Sequence, residues 1–154
     1  MKVFLEDEAA TTAFAERFAA VLPSETAGLT VLLEGELGAG KSTFARGLIR
    51  ALGHDGPVPS PTYTLVEPYQ LTSVTVYHVD LYRVTSEEEL RFLGWNELDG
   101  GLRLVEWPEK APELAEAADI RLAMSYAGDG RDVAIQAISE IGAKIRADLA
   151  AIPV

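Results

Sequence analysis

Gly35-Glu36-Leu37-Gly38-Ala39-Gly40-Lys41-Ser42 keeps the spacing G-x-x-x-x-G-K-[ST]. Each fixed position of that pattern has a mechanical reason. Glycines let the backbone fold back with its N–H groups aimed at phosphate oxygens, in conformations a Cβ would hinder. Lys41 would set a cation against the β- and γ-phosphates, and the Ser42 hydroxyl suits Mg²⁺. A helix beginning near Lys41 would add the positive end of its dipole. The chemistry indicated is capture of a nucleoside triphosphate, with hydrolysis as the expected reaction. The bland alternative is a chance match in a glycine-rich turn. Context tells against it, because the apolar run Leu29–Glu34 precedes the loop and a helical pattern, Thr43–Leu52, follows it.

Phosphate capture needs a metal, and a second strand ending in a carboxylate commonly helps to hold it. Val74–Val79 leads into Asp80, and Leu102–Val105 leads into Glu106. Both carboxylates stand at the C-terminal ends of predicted strands, where open α/β sheets place their ligands. Either one alone reads equally well as a solvated strand end. His78, one residue inside a predicted strand, is a candidate acid–base group, but the commoner role for such a residue is structural. His54 has no evident partner in the sequence. Trp107 suits stacking on a base or a partner, against the simpler reading of a core side chain at a strand end. The string Asn96-Glu97-Leu98-Asp99 lacks the lysine of a guanine-reading Asn-Lys-x-Asp, so ATP is the expected nucleotide.

Elements must position these groups. Thr11, Phe14, Phe18 and Leu22 recur at helical spacing and predict a helix over 6–22. Leu29–Glu34 predicts a buried strand, and Thr43–Leu52 a helix closed by Gly53. Residues 53–61, with two glycines and three prolines, predict an irregular loop. Tyr63–Tyr69 and Val74–Val79 predict a strand pair, and Leu102–Glu106 another strand. Ser86 with Glu89 reads as a capping box for a helix over about 86–93, ended by Gly94. Pro108 and Pro112 read as breaks. Alternation through Ile120, Leu122, Met124 and Tyr126, and again through Val133, Ile135 and Ala137, predicts a hairpin around Gly128-Asp129-Gly130. Residues 139–151 predict an amphipathic helix. The expected architecture is one α/β domain over 1–154, P-loop NTPase-like, with a mixed parallel/antiparallel sheet flanked by helices.

The 154 residues carry a net charge of −11 and no cysteine. Thiolate metal sites, disulfides and a cysteine nucleophile are thereby excluded. A free-standing nucleic-acid binder would show a basic face, so direct tight binding of RNA or DNA is not expected. No stretch has the length of a signal peptide's apolar core or of a membrane span, and the expected location is the cytoplasm.

Four strings together resemble one family. They are Gly35–Phe44, Ser60-Pro-Thr-Tyr-Thr-Leu-Val-Glu-Pro-Tyr69, Tyr77-His-Val-Asp-Leu-Tyr-Arg83 and Val105-Glu-Trp-Pro108. In order and spacing they are similar to the bacterial tRNA threonylcarbamoyladenosine biosynthesis ATPases, the TsaE (formerly YjeE) family, over nearly the whole chain. The first string alone is generic, and the second and third make the likeness specific. The resemblance implies a Mg²⁺-dependent ATPase with weak activity alone. It would serve the catalytic subunit that transfers threonylcarbamoyl to adenosine 37 of tRNAs reading ANN codons, and that subunit's paralogous dimer partner. Transfer itself would belong to the catalytic subunit, and tRNA would be met only through the complex.

Carried over residue by residue, the resemblance puts Lys41 and Thr43 on phosphate, in the loop that also includes Gly38, Ala39 and Gly40. It puts Ser42 and Glu106 at Mg²⁺ and gives Asp80 the Walker-B-type role. Trp107 would lie near the site, Thr11 would touch the nucleotide and Arg131 would lie near the adenine. Ser60–Thr64 looks like the family's switch-type loop. Val79 stands where the family commonly has Phe, a buried apolar exchange.

Two other readings share the loop. A P-loop small-molecule kinase would usually carry an arginine-bearing lid, whereas the loop 53–62 offers only His54 and Asp55 as charged candidates. A nucleotide-gated binding module that never turns over shares every motif and differs only in phosphate release.

Overall fold

Thr30–Glu34 is β-branched and leucine-rich with no polar alternation, as suits a strand covered on both faces. In the computed structural model, which describes residues 1–152, it forms a central strand, β2. The others are β1 (Lys2–Leu5), β3 (Val66–Gln70), β4 (Thr75–Asp80), β5 (Leu102–Glu106), β6 (Ile120–Ala127) and β7 (Gly130–Ala137). All seven form one sheet in the order β1-β7-β6-β2-β5-β4-β3. Strands β6, β2, β5 and β4 run parallel, and β3, β7 and β1 join antiparallel at the two edges. The mixed sheet expected from the sequence is thus present.

Helices cover both faces. They are α1 (Glu8–Ala20), α2 (Lys41–Ala51), α3 (Glu87–Phe92), α4 (Pro112–Glu116) and α5 (Glu140–Ala151). Alternate residues of β2 feed two cores. Val31 and Leu33 join Phe14, Phe18 and Phe44 on one face. Leu32 joins Val79, Leu81 and Val105 on the other. The three phenylalanines stack with centroids 5.5–6.5 Å apart and lock α1 onto α2. That contact fixes where α2 begins, and hence where the glycine loop points.

Caps set the helix starts. Asp7 accepts the Ala10 N–H at 2.8 Å and opens α1 at Glu8, two residues later than the periodicity suggests. Ser86 accepts the Glu89 N–H, while the Glu89 carboxylate returns to the Thr85 N–H and hydroxyl instead of closing the box on Ser86.

Several expectations are corrected. Strand β1 was absent from the sequence reading, since it is a four-residue edge strand defined only by pairing with β7. The strand predicted from Tyr63 starts at Val66. Before it the chain turns, with Leu65 N–H on the Pro61 carbonyl and Leu65 at φ 69°. Pro108 and Pro112 each occupy a first helical position instead of breaking the chain. They open a 3₁₀ turn, Pro108–Lys110, and α4, because proline's fixed φ and missing N–H cost nothing there. A further 3₁₀ segment spans Trp95–Gly100. Helix α2 takes in Lys41, two residues before the predicted start. No helix among the described residues is long and apolar enough to cross a membrane.

Candidate functional site

The loop between β2 and α2 lies at the C-terminal ends of the parallel strands. Gly35 leaves β2 at φ 150°, and a Cβ there would stand 2.5 Å from the Met124 carbonyl oxygen of β6. Only glycine fits beneath that strand. Ala39 N–H closes a turn on the Glu36 carbonyl at 3.0 Å, and Phe44 N–H opens the helical ladder on Gly40 at 2.9 Å. Ser42 is exposed in the first turn of α2 and Thr43 is half-buried beside it. The N–H groups of this first turn have no partners within the helix, so the site favours an anion.

Lys41 is only 5% exposed. Its ammonium donates to the Gly35 carbonyl and lies 3.5 Å from the centroid of the Trp107 ring. Burial lowers its pKa, against the opposing pull of Glu106, Glu109 and Asp80. Trp107 reaches it by an uncommon route. At the end of β5 its backbone is left-handed, φ 59° and ψ 50°, a conformation that costs a tryptophan on the order of 1–3 kcal/mol. The ring leans on Tyr82 at 4.9 Å and on the edge of the second core. It is therefore a half-buried cover over the lysine as well as a packing residue.

Asp80 and Glu106 are register partners at the ends of the adjacent parallel strands β4 and β5. Both are buried, so neither is a solvated strand end. Asp80 accepts the Tyr82 N–H at 2.9 Å through one oxygen and the Thr62 hydroxyl at 3.2 Å through the other. Thr62 in turn meets the Ser60 hydroxyl at 2.7 Å. Burial raises the Asp80 pKa and Glu106 adds to the rise, while the Tyr82 and Thr62 hydrogen bonds oppose it. Glu106 is tied to His78 Nε2 at 2.6 Å, with both side chains buried. His54 lies elsewhere, on the Pro57 carbonyl and edge-on to Tyr69.

This donor set fits a divalent cation held jointly with phosphate. Two buried carboxylates stand side by side near the Lys41 loop, a hard oxygen donor set of the kind that divalent cations favour. Among the described residues no three His, Cys, Asp or Glu side chains gather into a self-sufficient metal cage. The remaining ligands would come from the Ser42 hydroxyl and from phosphate oxygens.

Thr11, Thr43 and Arg131 lie apart from the carboxylates. With Leu5, Gly38 and Gly40 they line a cavity of about 260 Å³ on the β1–β7 side of the loop. Thr11 is buried on α1. The Arg131 guanidinium donates to the Gly38 carbonyl at 3.0 and 3.3 Å and stacks 4.3 Å from the Tyr126 centroid. A larger cavity, about 370 Å³, lies between α3 and α4 and includes none of the predicted site residues.

Thr62, His78 and Tyr126 gain importance that the sequence reading did not give them. Thr62 sits inside the Ser60–Thr64 segment but reaches Asp80 only through a turn. His78 meets Glu106 across strands 28 residues apart in sequence. Tyr126 reads as one more member of an alternating strand, until register shows that β2 stops opposite Ala123.

Comparison with known proteins agrees with the geometry. The family model "Threonylcarbamoyl adenosine biosynthesis protein TsaE" matches residues 5–133. The tRNA threonylcarbamoyladenosine biosynthesis protein TsaE of Haemophilus influenzae is 39% identical over 147 residues, 92% of each chain. The protein of the same name from Synechocystis is 40% identical over 119 residues, 74% of each chain. The crystal structure of Bacillus subtilis YdiB superposes with a TM-score of 0.77 at 27% identity, covering 97% of this chain and 93% of that one. With the fold, the motif order and the family model in agreement over most of its length, the chain belongs to the TsaE family of tRNA threonylcarbamoyladenosine biosynthesis proteins.

Proposed function

We propose that this chain is a Mg²⁺-dependent ATPase of the cytoplasm. Its cycle would sustain formation of N6-threonylcarbamoyladenosine at position 37 of tRNAs reading ANN codons. It would work with the threonylcarbamoyl-transferring subunit and that subunit's paralogous dimer partner. The observation that carries the reading is the buried Lys41 at the start of α2, facing the register-paired carboxylates Asp80 and Glu106. A triphosphate in the loop would receive backbone N–H groups and the Lys41 ammonium. Ser42, Asp80 and Glu106 would hold Mg²⁺, which when bound neutralises charge on the phosphates. His78 keeps the Glu106 carboxylate aimed, and Thr62 does the same for Asp80. Thr11, Thr43 and Arg131 line a cavity beside the loop that would take the rest of the nucleotide. The net charge of −11 leaves tRNA to the partners.

The test is phosphate release by the wild-type chain mixed with both partners, with Mg²⁺ and with chelator. Release should require the metal and should rise well above the weak release of the chain alone when both partners are present. No release above that of the partners alone would remove the ATPase reading and leave a nucleotide-gated binding module. A kinase reading gains nothing from the structure, since His54 is folded onto its own loop.

The hydroxyls of Ser60 and Thr62 connect the loop 57–64 to Asp80. A metal or phosphate that draws on Asp80 would loosen or tighten that loop. Limited proteolysis should therefore give different cleavage at 57–64 with ATP and with ADP. Identical digests would count against a switch in this segment.

A further inference from the structure

Strand β6 pairs with β2 only from Ile120 to Ala123, so Met124–Ala127 run on beyond the end of β2, over the glycine loop. From this overhang the Tyr126 hydroxyl donates to the Leu37 carbonyl at 2.6 Å. Arg131, directly across the hairpin from Tyr126, donates to the Gly38 carbonyl at 3.0 Å. The guanidinium and the phenol ring stack on each other, so each holds the other in place. The approach is close: a Cβ on Gly38 would stand 2.5 Å from the Tyr126 hydroxyl.

Among the described residues every peptide is trans. A trans peptide points its N–H opposite to its C=O. A Leu37 carbonyl held outward therefore turns the Gly38 N–H inward. A Gly38 carbonyl held outward likewise turns the Ala39 N–H across the loop, where it meets the Glu36 carbonyl.

We propose that Tyr126 is a positioning residue for phosphate recognition. Together with Arg131 it pins two carbonyls of the loop to the β6–β7 hairpin, and so presets the Gly38 N–H for an anion while the Ala39 N–H closes the turn on Glu36. The inference rests on the reading of this loop as the triphosphate site. Tyr126 itself touches no phosphate, since its hydroxyl is committed to Leu37. Its side chain is half-exposed and lies outside the two cores, so a change there should leave the core packing intact.

Tyr126→Phe removes the hydroxyl and keeps the ring stacked on Arg131. Calorimetric titration of wild type and variant with Mg²⁺–ATP and with Mg²⁺–tripolyphosphate, which has no base, separates the roles. The variant should bind both ligands about fivefold more weakly, the equivalent of one lost hydrogen bond. Its melting temperature without ligand should fall by no more than about 4 °C, the effect of one lost surface hydrogen bond. Weaker ATP binding with unchanged tripolyphosphate binding would place Tyr126 at the base and overturn the proposal. Unchanged binding of both would overturn it as well, as would weaker binding in a variant whose melting temperature falls well beyond that amount. Wild type that binds neither ligand would instead overturn the triphosphate reading itself, and this inference with it.

Discussion

Lys41→Ala should lower phosphate release by the assembled complex at least about a hundredfold, in line with the removal of one preorganised charge from a transition state. Lys41 is the buried cation of the loop, and Trp107, Gly35 and the two carboxylates enclose it. Among the described residues Lys41 forms no ion pair with Asp80 or Glu106, so alanine chiefly leaves incoming phosphates without their cation. Two measurements separate lost function from lost fold. The first is the melting temperature without ligand. Removing a buried, desolvated ammonium also removes its burial cost, so the change there should be modest. The second is the rise in melting temperature on adding ATP, which follows from binding to the native state alone. Wild type should show the rise and Lys41→Ala should not. A variant that keeps both the rise and the turnover would show that the lysine is not the phosphate-binding cation.

Asp80→Asn should cost about as much turnover, roughly a hundredfold, with the opposite effect on the resting protein. Burial raises the Asp80 pKa, so the folded chain holds the proton more tightly than the unfolded chain does. Ionisation at neutral pH therefore works against folding. That penalty is absent below the ordinary carboxylate range and grows as pH rises through it toward the folded pKa. Asparagine removes the charge and keeps an oxygen for the Tyr82 N–H. Without metal, Asp80→Asn should be at least as stable as wild type at pH 7, and the two should converge in acid. In the presence of partners and Mg²⁺, phosphate release should collapse. Equal release by both proteins would dismiss Asp80 as a metal ligand. A clear loss of metal-free stability would mean the carboxylate is structural.

Local signals carried most of what was legible beforehand. The loop, its preceding strand and its following helix lie within about twenty consecutive residues, and the chemistry of each position shows in the residue type. Asp80 and Glu106 could be nominated because strand ends can be found by pattern. Their facing one another depends on β4 and β5 being neighbours in register, and no local pattern encodes that. His78 shows the same limit. Its partner is an acid on another strand, so the sequence alone favours a structural histidine. Strand β1 went unseen because four residues carry too little alternation, and its pairing comes from β7 at the far end of the chain. Pro108 and Pro112 read as breaks because proline signals the end of one element and the first turn of the next with equal force. Arg131 is a candidate for the base by family resemblance. The structure puts its guanidinium on the Gly38 carbonyl, within the loop proposed to hold the phosphates.

The contact between Lys41 and Trp107 bears on how quickly a nucleotide can be traded. A lysine in water must shed its hydration shell before it can meet a phosphate. Here that shell is already gone, displaced by an indole face and a backbone carbonyl when the chain folds. A nucleotide that binds as proposed exchanges one dry partner for another, and the ring stands ready to receive the cation when the anion departs. Neither direction then requires rehydrating the ammonium. If the site takes a triphosphate as proposed, this arrangement would favour repeated loading and unloading over tight retention.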